Sequence, residues 1–85
     1  MTFQRAGRFK LDFRGLPKSV QRHAEKQLAL FLENPRHPSL RIKKMEGFPT
    51  FWEGRITRNY RFTFEIAKDT CTLRRIGTHN ILRTP

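Results

Sequence analysis

The chain has 85 residues, enough for a single domain spanning 1–85 and one modest hydrophobic core. It carries 18 Lys and Arg against 7 Asp and Glu, a net charge of +11, spread along its whole length. One cysteine excludes a disulfide framework and a Cys-rich zinc site, and no apolar run is long enough to span a membrane.

Like charges at this density repel one another in a compact state, so the composition points to a polyanionic or acidic partner. Nucleic acid is the first candidate and an acidic protein the second. The N-terminus "MTFQRAGRFK" lacks the apolar core of a signal peptide. With a lone cysteine, this is what a cytoplasmic protein would show. Eight Phe, one Trp and one Tyr supply a core without help from metals.

The first segment, "RFKLDFRGLP", is open to two readings. Phe9, Leu11 and Phe13 alternate with charged residues as in a strand, while Phe9, Phe13 and Leu16 fall at helical spacing. From Pro17 to Asn34, Val20, Ala24, Leu28, Phe31 and Leu32 form one helical stripe. Pro17 suits the first turn, and Asn34-Pro35 is a stop signal. A proline-punctuated loop follows, then a short extended piece in which Leu40 and Ile42 alternate with Arg41 and Lys43.

The second half reads as an antiparallel meander of "FWEGRIT", "YRFTFEI" and "CTLRRI", with turns at Arg58-Asn59 and Lys68-Asp69. A three-residue loop Arg58–Tyr60 would pair Ile56 with Phe62, Gly54 with Phe64 and Trp52 with Ile66, leaving one apolar face. In the next hairpin Phe64 would face Leu73, and Ile66 would face Cys71. The same register sends Arg55, Arg61 and Arg74, from three neighbouring strands, to the other face. There they would repel one another unless an anion lay between them.

Clustered guanidiniums beside an imidazole suit RNA cleavage. Bidentate arginines stabilise the charge that builds on the scissile phosphate. A histidine can take the proton of the ribose 2′-OH or protonate the departing 5′ oxygen. This chemistry needs no metal or other cofactor, and the sequence offers no ligand cluster. His23 reads as a helix-surface residue and His37 as a loop residue. His79 follows the last strand directly, either a tail residue or the reactive end of the basic face.

The stretches "LPKSVQRHAEKQLALFLENPRHPSLRIKKMEG", "FWEGRITRNYRFTFEI" and "TLRRIGTHNIL" together resemble the RelE/ParE superfamily of bacterial type II toxins. The similarity is greatest to its short RelE-like branch, which ends in Gly-Thr-His. The resemblance implies an α+β fold, with an N-terminal helix or helical hairpin packed on a curved, mainly antiparallel sheet. It makes Thr2 to Arg5 a strand and "RFKLDFRGLP" the short helix. It implies cleavage of mRNA on the ribosome and neutralisation by a cognate, often acidic, antitoxin. Arg61 in "NYR" matches the family's phosphate-stabilising arginine, and His79 in "GTH" matches a C-terminal histidine of some members. The expected catalytic set is therefore His79, Arg61 and Arg55, with Lys43, Lys44, Arg41, Arg58 and Arg74 positioning the RNA. The same fold also serves gyrase inhibitors of the ParE type, and a basic module without catalysis is a third possibility.

Overall fold

The computed structural model describes residues 1–85. In chain order it contains β1 (Thr2–Arg5), α1 (Gly7–Arg14), α2 (Lys18–Glu33), β2 (Lys43–Lys44), β3 (Phe51–Arg55), β4 (Tyr60–Ala67) and β5 (Thr70–Thr78). Short 3-10 turns lie at Pro38–Leu40 and His79–Arg83. The five strands form one sheet in the order β1-β5-β4-β3-β2, with β1 parallel to β5 and every other pair antiparallel. This is an α+β fold. No helix is long and apolar enough to cross a membrane.

The ambiguous segment is helical because helical spacing buries the right residues. Phe9 is fully buried and Phe13 packs against the core, while Leu11, which a strand would place beside them, is 60% exposed. The Gln21 amide of α2 donates to the carbonyl of Phe13 at 2.9 Å, an oxygen that also accepts the Leu16 N–H at 3.1 Å, and so ties α2 to the end of α1. On α2, Ala24, Leu28 and Phe31 are buried. Leu32, also on the expected stripe, is 51% exposed, since it lies at the edge of the helix face that Ala24, Leu28 and Phe31 bury. The Phe31 ring meets Phe62 edge-on at 5.3 Å and Phe64 at 4.8 Å, joining helix to sheet at the centre of the core.

The β3–β4 register differs from the expected one by two residues. Trp52 pairs with Phe64, Gly54 with Phe62 and Arg55 with Arg61. The turn begins one residue earlier, since Ile56 donates its N–H to Tyr60 O at 2.9 Å. Thr57 Oγ1 accepts the Asn59 N–H at 3.3 Å, and Arg61 Nη1 donates to the carbonyls of Thr57 and Arg58 at 3.0 Å and Tyr60 at 3.3 Å. A shift of two preserves which residues share a face, so the core face survives the error. Gly54 fits this register for steric reasons: a Cβ there would collide with the Phe62 ring and reach Ile42 Cδ1 at 2.8 Å.

Between β4 and β5 the expected pairs Phe64–Leu73 and Ile66–Cys71 are present. Beyond them lies a bulge: Thr63 pairs with Arg75, leaving Arg74 as the extra residue. Strict alternation would turn Arg75 into the core and Ile76 out of it. With the bulge, Arg74 and Arg75 both face outward and Ile76 is buried opposite Phe62.

Candidate nucleic-acid interface

The outer face of the sheet, away from α2, is built from the alternate residues Phe51, Glu53 and Arg55 on β3, and Arg61, Thr63 and Glu65 on β4. Part of it is covered, which strand alternation does not reveal. After β5 the chain folds back as the His79–Arg83 turn, burying Ile81. A Cβ on Gly77 would meet Ile81 Cγ2 at 2.9 Å, so the bare backbone of Gly77 is the seat for that side chain. Thr63 is fully buried on this face, with its hydroxyl unpartnered.

What remains accessible is basic. Arg55 and Arg61 face each other across β3 and β4. Burial first, then the guanidiniums of Arg61, Arg41 and Arg58, pull the Arg55 pKa below the ordinary arginine value. Its Nε is shielded from solvent and has no hydrogen-bond partner. The Gln27 side chain of α2 donates to the Arg55 carbonyl at 3.2 Å, fixing the backbone that carries the guanidinium. Arg61 is held by the three turn carbonyls described above. Arg41 has φ of +46°, a left-handed conformation costly for a residue with a Cβ, and follows the fully buried Leu40.

None of these four arginines belongs to a salt bridge. The carboxylates that pair are used elsewhere: Asp12 with Arg8 and Arg75, Glu65 with Arg74, and Asp69 with the N-terminal amine. An anion placed among Arg41, Arg55, Arg58 and Arg61 would meet several unneutralised guanidiniums and supply the acceptor that Arg55 Nε lacks.

The other expected site residues fall as follows. Lys43 pairs with Glu53 and shares the basic face, whereas Lys44 pairs with Trp52 and lies on the opposite one. Arg74 does not join the cluster, a correction that follows from the bulge. Its Nη1 lies 3.4 Å from Glu65 Oε1, its Nε donates to Pro85 O at 3.2 Å, and its guanidinium covers the Phe51 ring. His79 is exposed and follows Thr78, which pairs with Tyr60, while Gly77 pairs with Arg61. The imidazole is therefore anchored at the end of the sheet that carries the arginine cluster. Trp52 lies on the core face, stacked on Phe64 with ring centroids 6.4 Å apart. No three His, Cys, Asp or Glu side chains come together as a metal cage.

Sequence reasoning missed Arg75. Its Nε donates to Asp12 Oδ2 at 2.7 Å, and Ile76 N–H donates to the same oxygen at 3.2 Å. Strand β1 ends at Arg5, leaving the edge of β5 unpaired beyond Leu73, and Asp12 of α1 caps that edge. An edge residue bound by a helix 63 positions away leaves no local signal in the sequence.

A sheet of this order with two helices behind it is a fold shared with solved toxins of the YafQ, RelE and YoeB/ParE kind. No protein-family model and no curated protein matches the chain. Among solved structures, YafQ from E. coli strain BL21(DE3) superposes with a TM-score of 0.77 at 13% identity, covering 94% of each chain. A chain of the RelB–RelE antitoxin–toxin complex from Methanococcus jannaschii gives 0.75 at 21% identity, over 99% of this chain and 96% of that one. The YoeB/ParE toxin from Agrobacterium tumefaciens gives 0.74 at 13% identity, over 93% and 99%.

Proposed function

We propose that the protein is the toxin of a type II toxin–antitoxin pair, acting as a metal-independent endoribonuclease on mRNA bound to the ribosome. The observation that carries this reading is the Arg41, Arg55, Arg58 and Arg61 cluster, unpaired by any carboxylate, at the end of the sheet where His79 leaves β5. In this mechanism the ribose 2′-oxygen attacks the adjacent phosphorus while its proton passes to a general base. The P–O5′ bond breaks, and a general acid protonates the departing oxygen. The products are a 2′,3′-cyclic phosphate and a 5′-hydroxyl. His79 serves as the acid or the base. Arg61 and Arg55 stabilise the charge gathered on the phosphoryl oxygens, with Lys43, Arg41 and Arg58 holding the flanking backbone.

A partner protein fits the opposite side of the sheet. Phe3 and Leu32, 40% and 51% exposed, flank a cleft floored by Leu28, Phe31 and Leu73. The RelB–RelE complex from Methanococcus jannaschii and the E. coli DinJ–YafQ complex are toxin–antitoxin assemblies of similar chains. An acidic antitoxin would offset the charge of +11 while covering this apolar surface.

Purified protein incubated with programmed ribosomes and an end-labelled message tests the reading. Ribosome-dependent cuts that disappear in His79→Ala and in Arg61→Lys are expected. Cuts that survive His79→Ala would move proton transfer to another group. Absence of cuts from a folded protein, together with inhibition of gyrase supercoiling, would overturn the nuclease reading in favour of a ParE-type target.

A further inference from the structure

Three flat groups lie together on the outer face, about four residues along β3 from Arg55. Phe51 points outward opposite Glu65. Phe48, in the loop before β3, stacks on it with centroids 5.5 Å apart and planes only 2° from parallel. The Arg74 guanidinium carbon sits 4.3 Å from the centre of the Phe51 ring. Neither phenylalanine belongs to the core cluster or packs against it.

The layer is braced before any ligand arrives. Phe51 N–H donates to Phe48 O at 3.1 Å, closing the turn that aligns the rings, and Gly47 supplies the φ of +80° that reverses the loop. Glu65 ties the two sides together: one oxygen accepts the Thr50 hydroxyl at 3.1 Å and the other lies 3.4 Å from Arg74 Nη1. Arg74 is thus a neutralised, fixed plank and not a free anion receptor. Between the layer and the arginine cluster, Glu53 projects from the same face without a salt-bridge partner. A carboxylate there repels a second phosphate but tolerates an uncharged base or ribose. At about 3.3 Å per strand residue, Phe51 lies roughly 13 Å from Arg55, within reach of a nucleotide neighbouring one held by the cluster.

We propose that Phe48, Phe51 and Arg74 form a nucleobase-stacking platform for single-stranded RNA whose phosphate is held by the Arg55–Arg61 cluster. The assignment rests on the RNA-directed reading above and adds where a flanking base is received. Every base offers a π-face, so the platform tolerates many sequences and favours the larger purines. It orients the message across the sheet, with β3 as its track.

The test is a fluorescence-anisotropy titration of the full chain with a short labelled RNA, 2′-O-methylated throughout so that it binds without being cut. A second set of RNAs carries one abasic nucleotide, moved a position at a time. Stacking is worth enough that one abasic position is expected to weaken binding about tenfold. A Phe48→Leu/Phe51→Leu variant, checked for folding by circular dichroism, keeps apolar bulk but loses the π-face. It should bind intact RNA about as weakly and show no further loss with the abasic one. A flat abasic series in the wild-type protein, or an undiminished penalty in the variant, overturns the platform. Arg55→Gln separates the two levels. If it weakens binding while the abasic series is flat, only the platform fails. If it leaves RNA binding unchanged, the RNA-directed reading fails with it.

Discussion

Arg55 and Arg61 form a direct cross-strand pair in which neither guanidinium meets a carboxylate. Like charges placed so are destabilising, and the shielded, partnerless Arg55 Nε adds to the cost. Folding alone gives no reason to keep such a pair, whereas binding an anion does. Arg55→Gln is therefore expected to leave the fold at least as stable while slowing single-turnover RNA cleavage about 100-fold. Urea unfolding and a single-turnover assay measure the two effects. A variant that is less stable yet fully active would refute the assignment.

Much of this arrangement was legible in the sequence because it depends on local period. The stripe of Ala24, Leu28 and Phe31 and the alternation through β3 and β4 each report a face directly. The β3–β4 register was misplaced by two residues because the turn is decided by bonds that a pattern does not display, those of Arg61 to the Thr57, Arg58 and Tyr60 carbonyls. Likewise, nothing in "CTLRRI" marks Arg74 as a bulge, since its fate depends on burying Ile76 opposite Phe62. Phe51 was within reach: it alternates with Glu53 and Arg55 and so had to share the basic face. The return of Ile81 over Gly77 was not, because it is tertiary packing between residues of unremarkable local pattern.

Asp12 is expected to matter for stability more than any other carboxylate. It and Arg75 are each 14% exposed, and its Oδ2 also accepts the otherwise unpaired Ile76 N–H. Asp12→Ala leaves a largely buried guanidinium without its carboxylate, with Thr84 O and Oγ1 at 3.0 Å as its remaining acceptors, and takes the acceptor from an edge amide, for an expected loss of about 2–4 kcal/mol. Adding Arg75→Met should return a large part of that loss, because the stranded charge is then gone. Chemical denaturation of the two single variants and the double variant measures the coupling. Strictly additive losses would show that the pair contributes nothing as a pair.

Gly77 tests the seat of the C-terminal turn. Gly77→Ala places a methyl against Ile81 Cγ2, at a site where overpacking costs about 1–3 kcal/mol. The turn carrying His79 should loosen, seen as faster proteolysis at Arg83, and cleavage should fall although no proposed catalytic side chain has changed. Ile81→Leu, which lacks the branching methyl, is expected to recover part of both in the Gly77→Ala background. Unchanged proteolysis with unchanged activity would mean that the turn does not depend on this contact.

Cys71 gives the fold an alkaline limit. It is fully buried on the core face of β5, and burial pushes its thiol up from 9.0 to about 11. The native state therefore favours the protonated form. Below pH 9 native and unfolded chains both hold the proton, and the contribution is fully present. Between pH 9 and about 11 the unfolded chain releases the proton while the native chain keeps it, so stability falls as pH rises, by on the order of 2 kcal/mol across that window. Lysines and Tyr60 also titrate in alkali, so the comparison is with Cys71→Ala, in which this one contribution is absent. Urea midpoints at pH 8 and pH 10.5 should converge between wild type and variant as the wild type loses its advantage. At pH 8 the thiol should resist an aromatic disulfide reagent until denaturant is added. Rapid labelling of the native protein, or a wild-type advantage that does not shrink with pH, would contradict a buried, protonated Cys71.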